Sequence, residues 1–133
     1  MSGSLLDTSI VIAFDDSAYR DLPAEAAISV VTLGELRAGV LRATNELTRV
    51  ARQSRLAALR AEFASLPVND IVAEHYGDTL AHARGAGRSV KATDLLIIAT
   101  ARATGRTLYT LDRAQAALAR EVGVVVSGAG AGR

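Results

Sequence analysis

Short apolar runs alternate along the chain with longer amphipathic segments, and little separates them. Leu5 to Asp7 reads as a short buried strand, and Ile10 to Phe14 begins a helix. Ala26 to Val31 is a second apolar strand. Thr32 opens a helix that runs to about Ala43, and Asn45 opens a long one, rich in Ala and Arg, that runs to about Ser65. Pro67-Val68 marks a short strand or the start of one. Ile71 to about Ala86 is helical and ends at Gly85 and Gly87. Lys91 to Thr104 is the most apolar helix and stops at Gly105. Thr107 to Leu111 is a strand, Arg113 to Glu121 a helix ended by Gly123, and Val124 to Val126 a last strand.

Most of these strand runs lack polar alternation, as expected when both faces of a sheet are covered. Their alternation with helices predicts an α/β fold, a three-layer α/β/α sandwich around a mainly parallel central sheet. Such folds bind ligands outside the carboxyl edge of the sheet. The 133 residues, 50% of them hydrophobic, suit one domain with a real core and exclude wholesale disorder. That domain is read as residues 1–126, with 127–133 a flexible Gly/Ala tail.

Composition removes several kinds of chemistry. Without cysteine there are no disulfides, zinc–thiolate sites or thiol nucleophiles. His75 and His82 lie seven apart, not at the four-residue spacing of a zinc-binding helix. The first apolar stretch lacks a basic leader and is broken by Asp7, and no run reaches membrane-spanning length. A soluble, cytoplasmic protein with no membrane contact is expected. Net charge is +1, so nucleic-acid affinity has to come from where charge sits rather than from its sum. Arg42, Arg49, Arg52, Arg55 and Arg60 face only Glu46, and their spacing reads either as an RNA-backbone contact or as a solvated helix face. Arg84, Arg88 and Lys91 form a second basic cluster, better placed for RNA phosphates because it adjoins the acid at position 94. Aromatics make up only 4% of the chain, too few for a base-stacking platform.

Four acids stand inside apolar segments: Asp7, Glu35, Asp94 and Asp112. Taken singly, each fits a capping role. The three aspartates can be helix N-caps, and Thr32-Leu33-Gly34-Glu35 fits a capping box. Four such caps at one sheet edge would repel one another, and a shared Mg²⁺ or Mn²⁺ removes that cost. A site of this kind suits phosphodiester hydrolysis, with one ion or two activating a water and shielding the phosphate. The hydroxyls of Thr8, Ser9 and Thr110 lie beside the acids and either orient them or serve local turns.

Four segments carry a resemblance to a known family. Leu5-Leu6-Asp7-Thr8-Ser9 resembles the opening motif of PIN-domain ribonucleases. Ser29 to Gly39, Lys91 to Ala99 and Thr107 to Asp112 resemble the second, third and fourth motifs, in the same order and in a chain of the size of the VapC toxins of bacterial VapBC pairs. The resemblance spans nearly the whole chain and implies a PIN-like domain. It implies that Asp7, Glu35 and Asp94 are the core metal ligands, with Asp112 a fourth catalytic acid acting directly or through water. Thr110 and Ser9 would support them. It further implies a Mg²⁺- or Mn²⁺-dependent endoribonuclease acting on structured RNA such as tRNA or rRNA, a homodimer, and inhibition by a cognate VapB antitoxin. Two other readings stay open: a phosphatase or phosphotransferase with Asp7 as nucleophile, and a non-catalytic binding module whose acids are caps. Ser9 stands where the common phosphatase signature wants a second aspartate.

Overall fold

A computed structural model describes residues 3–13, 23 and 25–127 of the chain. The chain runs β1 (Ser4–Leu6), α1 (Thr8–Ala13), β2 (Ala26–Ser29), α2 (Val30–Leu41), α3 (Glu46–Glu62), β3 (Ala64–Leu66), α4 (Asp70–Gly85), α5 (Ala92–Thr104), β4 (Thr107–Tyr109), α6 (Arg113–Glu121) and β5 (Val126–Ser127). The strands form one five-stranded sheet in the order β3-β2-β1-β4-β5, and every pairing is parallel. Among the described residues no helix is long and apolar enough to cross a membrane.

Adjacent residues of β1 face opposite layers, as the strand period requires. Leu5 joins Leu108 of β4, Leu95, Ile97 and Ile98 of α5 and Leu118 of α6 in one core cluster. Leu6 joins Ile28 of β2, Ile10 and Val11 of α1 and Leu59 of α3 in the other. Leu5 and Leu6 are both completely buried. Each contributes about 1.5–3 kcal/mol of transfer energy to its own layer. This is the three-layer, parallel-sheet architecture that the apolar runs imply.

The element boundaries depart from the sequence reading where capping chemistry overrides hydrophobic pattern. The helix expected from Thr32 begins at Val30, because Ser29 is its N-cap and accepts from the Val31 N–H at 3.0 Å. Thr32 and Glu35 therefore form no capping box. They lie within α2. Asn45 and Asn69 cap α3 and α4 in the same way, accepting from Thr48 and Val72. The third strand precedes Pro67 instead of containing it, and pairs Ala64 to Leu66 with β2. A proline has no N–H to give to a ladder, so the strand ends before it. β1 ends one residue before Asp7, and β4 ends at Tyr109 and not Leu111. Ser127, read as the first residue of a tail, is in β5; Phe14 and residues 128–133 lie outside the described residues.

The arginine row takes a role that neither sequence reading gave it. Arg52 donates to the Gly39 carbonyl at 2.7 Å, and Arg55 to the carbonyls of Val11 and Ile12, the latter at 3.1 Å. These guanidiniums bind α3 to carbonyls late in α1 and α2, groups that lack full partners within a helix. Arg49 pairs with Glu46 on the exposed face.

Candidate active site

Chain order changes direction at β1: β2 and β3 follow on one side of it, β4 and β5 on the other. The crevice outside the carboxyl ends of β1 and β4 is therefore the topological switch point, where an open parallel sheet offers a binding site. Asp7 is the first residue past β1. Its N–H donates to the Tyr109 carbonyl at 2.8 Å, which pins its backbone to β4.

The Asp7 side chain is only 4% exposed, and both oxygens accept hydrogen bonds. Oδ2 accepts from the Ser9 N–H at 3.1 Å and the Ser9 hydroxyl at 2.6 Å, and lies 3.2 Å from the Thr110 hydroxyl. Oδ1 accepts from Gln115 Nε2 at 3.1 Å. The hydroxyl protons are directed by what the oxygens accept. Ser9 Oγ accepts the Leu111 N–H at 3.0 Å, so its proton points to Asp7. Thr110 Oγ1 accepts the Asp112 N–H at 3.0 Å and donates to Gln115 Oε1 at 2.7 Å. Ser9 thus joins the first turn of α1 to the segment after β4, and Thr110 ties that segment to Gln115 of α6.

The other acids come from separate helices. Glu35, one and a half turns into α2, accepts from the Thr8 hydroxyl at 2.6 Å, and Thr8 in turn lies 2.9 Å from the buried Thr32 hydroxyl. Asp94 is half-buried in the first turn of α5, whose N-cap is Lys91. Asp112 is the N-cap of α6 and accepts from the Gln115 N–H at 3.0 Å. Its capping role is real, but it also lines a cleft with Asp94.

The charges of the other three acids reach Asp94. Burial pushes the Asp94 carboxyl above the ordinary aspartate range; Lys91 opposes this, and the charges of Asp7, Asp112 and Glu35 push it further up. The donor set is all oxygen and rich in carboxylate, which suits a hard divalent cation. Among the described residues no three acids already close up as a metal-ligand cluster. Asp7, Glu35 and Asp112 each accept from a protein donor, and their charges still reach Asp94.

Two grooves flank the acids. A cleft of about 310 Å³ is lined by Lys91, Asp94, Asp112 and Gln115, with Arg88 and Ser89 at its side. Arg88 is committed to Glu121, which also accepts from His82 Nε2 at 2.8 Å. Arg84 lies outside the lining of this cleft, so the structure brings Lys91 and Arg88 to the acids and leaves Arg84 aside. A second groove of about 330 Å³ is lined by Glu35, Ile12, Leu36, Arg52, Arg55 and Leu56. Gln115 has no counterpart in the sequence reading. Its signal was Asp112-x-x-Gln115, a capping-box spacing at the start of a helix.

Known proteins resemble this chain in sequence and fold. A PIN-domain family profile matches residues 4–121. "Ribonuclease VapC8" of Mycobacterium tuberculosis (strain ATCC 25618 / H37Rv) is 45% identical over 100 residues, covering 73% of this chain and 88% of its own. "Ribonuclease VapC5" of the same strain is 36% identical over 120 residues, 88% of each chain. Among solved structures, VapBC-5 of Mycobacterium tuberculosis, a member of the VapBC family of toxin–antitoxin systems, superposes with a TM-score of 0.78 at 36% identity over 96% of both chains. FitAcB of Neisseria gonorrhoeae gives 0.76 at 29% identity, over 95% of this chain and 96% of the other. With the profile spanning most of the chain and these relatives alike along most of their length, the chain belongs to the PIN-domain family, among its VapC members.

Proposed function

We propose that this chain is a Mg²⁺- or Mn²⁺-dependent endoribonuclease toxin that hydrolyses phosphodiester bonds in structured RNA, tRNA or rRNA, and is held inactive by a cognate VapB antitoxin. The observation that carries the reading is that Gln115 bonds to Asp7, to Asp112 and to the Asp94 carbonyl at the switch point, with Asp94 and Asp112 on one cleft and Glu35 held by Thr8 next to Asp7. The ribonuclease names of the relatives support the reaction class. The paired toxin–antitoxin description of VapBC-5 supports the inhibitor.

In this reading the four carboxylates hold the cation. When bound, a divalent cation supplies the positive charge that offsets the phosphate and raises the acidity of an attacking water. Asp7 is fixed by Ser9 and by Gln115, which Thr110 holds in turn, so the site's central ligand needs little reorganisation. Thr8 holds Glu35 toward β1. Lys91, on the cleft beside Asp94, meets the RNA backbone next to the scissile bond, and Arg88 adds to it when released from Glu121. The products are a 3′-hydroxyl and a 5′-phosphate. The antitoxin occupies the groove between α1, α2 and α3, which has exposed Ile12 on its wall and Glu35 within reach. A homodimer is part of the same proposal and rests on the family likeness.

The phosphatase reading loses ground here. An aspartate nucleophile needs an open approach for a whole phosphoryl group, and Asp7 is buried with both oxygens hydrogen-bonded. The test is cleavage of total cellular RNA by the purified chain, with new 5′ ends mapped by sequencing. Discrete ends are expected with Mg²⁺ or Mn²⁺ and none with chelator. Asp7→Asn should cut the rate by about a hundredfold or more, the scale on which one stabilising group is lost from a transition state. Cleavage that persists in Asp7→Asn with chelator would overturn the assignment.

A further inference from the structure

We propose that Gln115 is a positioning residue for cation binding, a single buried amide that sets the direction in which Asp7 offers its oxygens. The inference rests on the cation-site reading above. Gln115 is 2% exposed on α6 and touches three of the four acids. Its Nε2 donates to Asp7 Oδ1 at 3.1 Å and lies 3.4 Å from the Asp94 carbonyl, and its backbone N–H donates to Asp112 Oδ1 at 3.0 Å.

The amide has one workable orientation. Asp7 accepts only, so the NH₂ end must face it. Thr110 accepts the Asp112 N–H and gives its proton to Gln115 Oε1. Turning the amide over would set its carbonyl against the Asp7 carboxylate and leave Asp7 Oδ1 without its donor. The Asp112-x-x-Gln115 spacing normally sends the glutamine side chain back to the N–H of the cap residue. Here Thr110 takes that N–H, and Gln115 is freed to turn inward to Asp7. A buried amide costs desolvation unless all its partners are in place, and an apolar residue of the same length would fill the space without that requirement. What the amide adds is a fixed link from Asp7 to the N-terminal turns of α5 and α6, where Asp94 and Asp112 sit. Groups that orient a metal ligand by hydrogen bonding change affinity and activity when removed.

The test is Mn²⁺ binding by calorimetry to the full chain, to Gln115→Met, which keeps length and loses the amide's hydrogen bonds, and to Gln115→Asn, which keeps the amide and loses the reach. Leu118→Ala, a core truncation on the same helix with no polar contact to the acids, controls for general loosening. Both Gln115 variants are expected to bind Mn²⁺ about ten- to a hundredfold more weakly, with Leu118→Ala close to wild type. Raising Mn²⁺ should bring the RNA cleavage rate of Gln115→Met back toward that of wild type. Equal affinity in wild type and either folded Gln115 variant would overturn the proposal and leave the cation site standing. An equal loss in Leu118→Ala would also overturn it, as a packing effect. No Mn²⁺ binding by the wild-type chain would remove the cation site and this inference together.

Discussion

Asp94 holds its proton more tightly in the folded chain than an ordinary aspartate does. Between the ordinary value and its raised folded value the native state binds more protons than the unfolded state. Stability without metal therefore falls as pH rises through that window, and the penalty persists above it. Asp94→Asn is expected to raise the metal-free melting temperature at neutral pH, and that gain should vanish in acid, where Asp94 is protonated folded and unfolded. Thermal melts across pH check this; a lower melting temperature for the variant at every pH would contradict it. The four acids are legible in the sequence because carboxylates embedded in apolar runs need a reason to be there. Gln115 is hidden, because its spacing from Asp112 looks like ordinary capping and only the fold shows Thr110 taking its place. Thr32 and Glu35 err the other way: a capping box in sequence becomes two residues inside the helix once Ser29 caps α2.

At the scale of elements, the helices are legible to within a few residues and the strands less so. Strands of two to four residues carry too few positions for a pattern, and β3 has the plain sequence Ala64-Ser65-Leu66. What placed it is pairing with β2, a long-range event with no local signal. The N-caps are the local devices that fix helix starts, and Ser29 has the most to hold, since it ends β2 and starts α2 without a loop between them. Ser29→Ala is expected to cost about 1 kcal/mol. A urea titration measures it as a lower midpoint with unchanged slope. An unchanged midpoint would mean that the cap does not set the start of α2, and with it the height of Glu35 on that helix.

For the whole molecule, alternating strands and helices reveal the class of fold but not the strand order. The order β3-β2-β1-β4-β5 puts the reversal at β1, and that alone brings residues 7, 94 and 112 to one crevice although up to 105 positions separate them along the chain. The four motifs, taken in order, carry that information because they belong to a family; periodicity does not. The central claim is that these four carboxylates act as one cation site, and calorimetric titration of Mn²⁺ into the purified chain, beside Asp7→Asn and Asp94→Asn, tests it most directly. Saturable binding to the wild-type chain that is lost or greatly weakened in both variants is the expected result. Binding that is absent from the wild type, or that survives unchanged in both variants, would contradict it.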